Sequence, residues 1–430
     1  MSLYLVLTLL GMTAAMTIGI PAVYAVLGAA LAYFLGHPGM NTMVMMQQVQ
    51  LPLRSFPLLA IPFFIMAGTV MARGGIADKI MSFANILIGH WRGGLAQVGV
   101  LNSFVMGSMS GSAVADAAVD SRILVPQMQK RGYSLGFAAA IAGASSVIAP
   151  ILPPSTSLIL YGLLGQVSVS ALFLGGIVPA VIIGAGLLAL VAVLSRLRQY
   201  GSVRETASSW REKGHAFVDC AWALMMPVIL VGGIRTGLFT ITELAAMAAA
   251  YTIVISLFVY RSMTLTDLWD VLRETARTSA TVLIIIGASG AFSYIFAIEQ
   301  VPLKIISMLS GITETPVLVL LITCMALTVL GMVIEGAAVM IIGAPILVSI
   351  ATHFGIDPVH MGVLVVVTLT LSTLTPPVGI VMFTVCTMTG CRISEFLREM
   401  VPFYVLLFSI LVLLALFPAL VTTLPEWLAK

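Results

Sequence analysis

The chain has 430 residues, of which 60% are hydrophobic and 9% charged, with a net charge of +3 and a mean hydropathy of +1.12. Soluble domains run at about 45–50% apolar and about 25% charged, so a soluble enzyme or a nucleic-acid binder of this composition would expose apolar surface that it could not cover. Charged side chains are absent from 2–53, 132–195, 358–391 and 400–425. A spanning helix takes about 20 apolar residues, so these gaps predict an all-α polytopic protein of inner-membrane type.

Taken in chain order, the apolar runs predict two short helices within 3–35, then helices over 57–72, 94–108 and 113–127. An interrupted helix over 135–165 and a helix over 171–195 follow. The start lacks a basic segment and a small-residue cleavage site, so Leu3 onward reads as a retained first membrane helix. Residues 40–56 are too polar to span and too apolar to float, which predicts an interfacial helix, with 262–277 as its counterpart later in the chain. Residues 196–219 carry Arg196, Arg198, Arg204, Arg211 and Lys213, the mark of a cytoplasmic linker. Beyond it, helices are predicted over 220–234, 240–260, 276–297, 316–332 and 337–351. A second interrupted helix over 361–390 and a last helix over 400–424 complete the series.

The linker separates two matching halves, 1–195 and 220–430. At an offset of 225, Lys79 falls on Lys304 and Gly111 on Gly336; at 223, Gly132 falls on Gly355 and Pro153-Pro154 on Pro376-Pro377. An ordered series with one small indel indicates an internal duplication. In membrane carriers such repeats are commonly inverted, with the site at their interface.

Three stretches carry chemistry. In GSMSGSAVADAAVD (107–120), Ser108, Ser110 and Ser112 surround Gly107 and Gly111, with Asp116 and Asp120 one and two turns on. Gly and Ser weaken a helix, and a break inside a bilayer survives only where protein or water satisfies the freed backbone. This predicts a re-entrant hairpin whose tip offers carbonyl and hydroxyl oxygens, hard ligands suited to Na⁺. The competing reading is small-residue helix packing. Asp116 and Asp120 read either as ion ligands or proton carriers, or as partners of Arg122 or Lys130 near the surface.

In ASSVIAPILPPSTSLILYG (144–162), Pro150, Pro153 and Pro154 remove amide donors, and Ser145, Ser146, Ser155, Thr156 and Ser157 add hydroxyls. The pattern recurs as LSTLTPPVG (371–379), with Thr373, Thr375, Pro376, Pro377 and Gly379, and marks an unwound midpoint where a lone proline would give only a kink. The mate of the first tip is VIEGAAVM (333–340), where Gly336 and Ala337 offer backbone more than side chains. Glu335 stands there alone in a charge-free stretch, as a functional group or a helix-end residue. An anionic substrate would be held by half-helix N-termini, hydroxyls and bound cations, because the broken helices contain no arginine.

The segments GSMSGSAVADAA, ILVPQM with RGYSLGFAAAI, IAPILPPST, GIDPVHMGVLVV and LTPPVGIVMF resemble the large membrane subunit of tripartite ATP-independent periplasmic (TRAP) transporters, and AIPFFIMAG (60–68) and VPFYVLLF (401–408) fit as well. The resemblance spans essentially the whole chain. It implies Na⁺-coupled uptake of an organic acid, such as sialic acid, a C4-dicarboxylate or a sugar acid, delivered by a periplasmic substrate-binding protein. It also implies a small four-helix membrane partner, expected as a separate chain because Leu3 opens the large-subunit pattern directly. The fold implied is two inverted repeats, each with a hairpin and an interrupted helix, in an elevator-type ion transporter. Na⁺ would then lie at Ser110, Gly111 and Ser112 with Pro153 to Ser157, and at Gly336 and Ala337 with Thr373 to Gly379.

Three other readings compete, one of them a passive channel, whose filter usually arises by oligomeric symmetry around one pore and fits a duplicated, self-contained site less well than a carrier does. A stand-alone ion-coupled carboxylate carrier keeps the repeats and drops the binding protein. An intramembrane serine protease would use GASG (287–290), with Ser289 as nucleophile and His353 or His360 as base, but both histidines are expected at the surface in HFGIDPVH. The four cysteines have no metal-ligand spacing and are expected to be small buried hydrophobes.

Overall fold

Single prolines sit inside long helices, Pro179 within Val169–Leu197 and Pro402 within Ile393–Leu416, whereas the proline pairs Pro153-Pro154 and Pro376-Pro377 fall where helices stop. The computed structural model describes residues 2–20, 22–201 and 209–428, and these are helical with no strand among them. The side chains of Ser108 and Ser110, and Arg204 as a whole, lie outside the described residues. The first half comprises α1 (Leu3–Thr17), α2 (Ala22–Gly36), α3 (Thr42–Leu53), α4 (Ala60–Arg73), α5 (Ile76–Ile88), α6 (Gly94–Ser110), α7 (Ala113–Lys130), α8 (Leu135–Ser145), α9 (Thr156–Gly165) and α10 (Val169–Leu197). The second comprises α11 (Trp210–Thr236), α12 (Ile241–Val254), α13 (Leu265–Ile298), α14 (Val301–Ser310), α15 (Pro316–Gly331), α16 (Gly336–His353), α17 (Pro358–Ser372), α18 (Ile380–Thr389), α19 (Ile393–Leu416) and α20 (Ala419–Leu428).

Among the described residues six helices are long and apolar enough to cross a membrane, or seven counting α11, which bends by 41°. Among them α10 and α19 expose Val181, Val193, Val405 and Val412, as helices facing lipid do. Two predicted elements differ. The stretch 262–277 is not a separate interfacial helix: a capping box between Thr264 and Asp267 starts α13, which runs 34 residues without interruption. No proline lies in that run, whereas Pro52 and Pro57 separate α3 from α4 in the first half. The helices α5 and α14, which carry the matched Lys79 and Lys304, had no counterpart in the apolar runs, being short and partly polar. The last helix also begins earlier and ends sooner than 400–424, with α20 after it.

The interrupted helices occupy the centre. Every residue of α8 from Gly136 to Ser145 is buried, as is α17 from His360 to Ser372. Between membrane helices the hydrophobic effect does little, and close contact of small residues does most. The run GFAAAIAGAS in α8 is built for that: a methyl on Gly143 would lie 3.0 Å from the Phe396 ring of α19. The repeats also interlock, since α7 packs on α18 and α16 on α9, so each hairpin's second arm lies against the far half of the other repeat's broken helix.

Several turns gather on the face where the chain passes from α10 to α11. Gly93 N donates to Gly201 O (3.1 Å), Ser134 N to Tyr200 Oη (3.3 Å), Ser262 Oγ to Gly74 O, and Arg198 pairs with Glu399 at 2.6 Å. Arg92, Arg131, Arg196, Arg198, Arg211 and Arg261 lie at these turns and helix ends. That face is strongly basic.

Candidate functional site

The first hairpin turns at Gly111, whose φ of +57° follows the C-terminus of α6 and whose N–H donates to Gly107 O at 3.1 Å. Ser112 then caps α7, its hydroxyl accepting from Ala115 N at 3.4 Å. The tip is pressed onto the break in the first interrupted helix: a methyl on Gly111 would lie 2.8 Å from Pro154 O and 3.2 Å from Thr156 N. Thr156 Oγ1 donates to Gly111 O at 3.2 Å, closing the contact. The break itself tightens into a 3-10 turn at Ser146–Ile148 and passes Pro150 and a cis Pro153-Pro154 bond. It re-enters helix where Ser155 accepts from Leu158 N at 3.1 Å and donates to Pro150 O.

The second unit has the same plan with different parts. After α15 ends at Gly331, residues 332–335 form the tip, and Glu335 holds the N-cap position of α16 without a side-chain cap bond. Here tip and break meet through backbone: Val378 N donates to Met332 O at 3.1 Å. A cis Pro376-Pro377 bond and Gly379 (φ +51°) lead into α18, and Val381 N reaches back to Thr373 O at 3.0 Å.

Both units open on one cleft of about 540 Å³. Gly111, Ser112, Pro150, Thr156, Ser157, Glu335, Gly336, Ala337 and Thr373 line it, so nine of the residues singled out in the sequence come together there. The opposite wall is α4 and α13, from Ile65 to Arg73 and from Glu274 to Val282. Arg73 and Glu274 form an ion pair at 2.5 Å. Neither was signalled, because Arg73 ends an apolar run and Glu274 lay in a stretch taken for an interfacial helix.

The other singled-out residues support the breaks from behind. Ser145 and Ser146 are buried and donate to Ile141 O and Gly143 O, each at 2.8 Å, and Thr375 donates to Ser372 O at 2.8 Å. Pro153, Pro154, Ser155, Pro376, Pro377 and Gly379 shape the turns. Asp116 and Asp120 do not pair with Arg122 or Lys130: they are 2% and 0% exposed inside the protein. Asp120 accepts from Asn102 Nδ2 (2.8 Å) and Ser103 Oγ (3.0 Å), while neither Asp116 carboxylate oxygen has a hydrogen-bond partner among the described residues. Among the described residues no group of three His, Cys, Asp or Glu could hold a metal.

Ser289 and the histidines do not form a nucleophile and base. Ser289 Oγ donates to Ile286 O at 2.6 Å, and the cavity it borders, of about 360 Å³, has no histidine in its lining. His360 is buried rather than at the surface, its Nε2 paired with Leu414 O at 2.8 Å. The GASG glycines serve packing: a methyl on Gly290 would lie 2.2 Å from Gln48 O, so α3 crosses α13 on them. All four cysteines are buried thiols.

Residues 5–420 match the family described as tripartite ATP-independent periplasmic transporter, DctM component. Similar proteins include the 2,3-diketo-L-gulonate TRAP transporter large permease protein YiaN of Escherichia coli, 34% identical over 96% of each chain. The C4-dicarboxylate TRAP transporter large permease protein DctM of Pseudomonas aeruginosa is 34% identical over 87% of each. The sialic acid TRAP transporter permease protein SiaT of Haemophilus influenzae is 34% identical over 96% of this chain and 67% of its own length. Among solved structures the YdaH transporter of Alcanivorax borkumensis superposes with a TM-score of 0.66 at 15% identity, covering 92% of this chain and 96% of its own. That likeness is one of fold.

Proposed function

This chain belongs to the family of the DctM component of tripartite ATP-independent periplasmic transporters, and on that premise we propose that it carries out Na⁺-coupled uptake of an organic acid handed over by a periplasmic binding protein. Its relatives are transporter permeases of multi-pass membrane character, not enzymes. Sialic acid, a C4-dicarboxylate or a sugar acid is the substrate class, after the cargoes named for the relatives. A small four-helix membrane subunit is the expected second partner.

One observation carries this reading: two hairpin tips and two helix breaks converge on a single cleft whose lining charges are Arg73, Glu274 and Glu335. With one cation against two carboxylates, the cleft is a poor host for an acid by itself. Cations bound beside it reverse that balance. Na⁺ is suited to the carbonyl and hydroxyl oxygens of Gly111, Ser112 and Thr156 at one tip, and of Gly336, Thr373 and Thr375 at the other, with Ser110 in the same turn. Half-helix N-termini at Thr156 and Gly336 add positive dipole ends. Coupling follows from electrostatics, because acid and Na⁺ each bind better when the other is present.

The mechanism that fits is an elevator. The tips, breaks and α7, α9, α16 and α18 form one interlocked block, and α4 and α13 face it across the cleft. The basic face around 196–219 is the cytoplasmic one by the distribution of arginines. Arg73 adjoins Gly74, which is bonded to Ser262 on that face, so the half-exposed Arg73 and Glu274 mark the cytoplasmic end of the cleft.

The test is uptake of labelled sialic acid, succinate and 2,3-diketo-L-gulonate into proteoliposomes holding the chain and its small partner. An inward Na⁺ gradient is applied with and without the cognate binding protein. Accumulation that needs both is the expected result. Accumulation indifferent to the binding protein would make this a stand-alone carrier, and accumulation indifferent to Na⁺ would remove the coupling.

A further inference from the structure

Of the charged side chains in the cleft, Arg73 is the one cation among the described lining residues. Its Nη2 lies 2.5 Å from Glu274 Oε2, and the two side chains are 50% and 47% exposed. Glu274 has no other hydrogen-bond partner among the described residues. Asp267, two turns earlier on α13 and also within reach of the Arg73 charge, is held differently: it accepts from Thr264 N at 2.7 Å and from Thr264 Oγ1 at 2.6 Å. Of the two acids near Arg73, only Glu274 is free to leave.

A half-exposed ion pair is weak, because water screens it and both long side chains lose freedom in forming it. A guanidinium presents two parallel N–H donors that match any carboxylate, whether from the chain or from a ligand. An organic acid entering the cleft therefore meets a binding group already shaped for its carboxylate and occupied by a loosely held one. Exchange costs one exposed ion pair and returns a charge-assisted bond to the same guanidinium.

We propose that Arg73 binds the substrate carboxylate and that Glu274 is an internal competitor which occupies Arg73 when the cleft holds no acid. The proposal rests on the transport reading above and names the residue that recognises the cargo. Glu274 keeps Arg73 from taking up chance anions, and its release leaves an added negative charge in the cleft to favour cations. The rival account is a strut, in which the pair only ties α4 to α13.

The two accounts predict opposite signs. In the reconstituted complex with its binding protein, Glu274→Gln lowers the half-saturating acid concentration several-fold, because the competitor is gone. Arg73→Gln raises it at least tenfold, and the double variant behaves like Arg73→Gln alone. A charge swap, Arg73→Glu with Glu274→Arg, stays impaired, since the guanidinium then sits on α13. A strut predicts that both single variants lose uptake alike and that the swap restores it, which would overturn the proposal. The gain in Glu274→Gln cannot arise from misfolding, and thermal unfolding of each variant separates folding loss from binding loss in the others. If the unaltered complex accumulates none of the three acids, the transport reading falls and this proposal with it. If it accumulates one and the signs agree instead of opposing, only this proposal falls.

Discussion

The two tip-and-break units share a plan and differ in what locks them. In the first, a left-handed glycine is wedged against Pro154 and tied by the Thr156 hydroxyl, and Asp116 and Asp120 stand buried behind it. In the second, a backbone amide from Val378 makes the tie, Gly336 has an ordinary helical conformation, and the acid, Glu335, is exposed on the cleft. The two units have the same close approach of tip to break and differ in the chemistry that holds it. One tip is secured by side chains and sterics, the other by main chain.

The largest consequence falls on the matched glycines. A methyl at Gly111 meets a backbone carbonyl at 2.8 Å in a conformation that L residues avoid, whereas a methyl at Gly336 has only Leu369 Cβ, at 3.6 Å. A non-glycine residue with positive φ costs about 1–3 kcal/mol, and neither Pro154 nor the tip can move aside without opening the contact. Gly111→Ala is therefore expected to abolish most uptake, by roughly tenfold or more, at an unchanged amount of inserted protein. Gly336→Ala should keep at least about half, since Ala favours helix by about 1 kcal/mol over Gly. Equal losses in initial uptake rate would show that the tips are locked alike.

Next come the acids. Asp120→Ala strands Asn102 Nδ2 and Ser103 Oγ in a buried place, and each unpartnered donor costs about 1–3 kcal/mol. A clear fall in the thermal unfolding midpoint of the purified protein is expected. Glu335→Gln removes an exposed charge that caps nothing, so stability stays within about 0.5 kcal/mol, while the Na⁺ concentration for half-maximal uptake rises. A stability loss at Glu335 without a shift in Na⁺ dependence would reverse the assignment of structural and functional acid.

How much of this was legible follows from what kind of signal each feature leaves. Proline pairs and Ser/Gly runs announce breaks directly, because they act on their own backbone, and so Gly111, Thr156, Gly336 and Thr373 are legible in the sequence. The opposite wall of the cleft could not. Arg73 and Glu274 lie about 200 residues apart in sequence, and only the antiparallel packing of α4 on α13 turns two helix-end charges into a pair. His360 misled for a related reason: its neighbours Asp357 and Pro358 look like a surface turn, but the ring points inward to Leu414 O. Hydroxyls near a break look alike in sequence, yet Ser145, Ser146 and Thr375 donate to carbonyls of their own segments while Thr156 donates across to the hairpin tip.

The smallest effect tests the side-chain lock alone. Thr156→Val keeps the volume of the residue and removes the donor to Gly111 O, while the steric wedge at Gly111 remains. A net hydrogen bond of this kind is worth about 0.5–1.5 kcal/mol, so uptake should fall only about two- to tenfold. Thr373→Val is the matched control in the second unit. Its hydroxyl donates to Thr370 O at 2.6 Å, within its own helix, and the tip there is held by Val378 instead. If the hydroxyl matters as a lock, Thr156→Val makes the first hairpin more open to cysteine-directed labelling at Ala115→Cys, and Thr373→Val leaves the second hairpin unchanged at Ala337→Cys. If Thr373→Val loses Na⁺ dependence with no change in labelling, that hydroxyl acts on the ion and not on the tip, and the two units then differ in ligand as well as in lock.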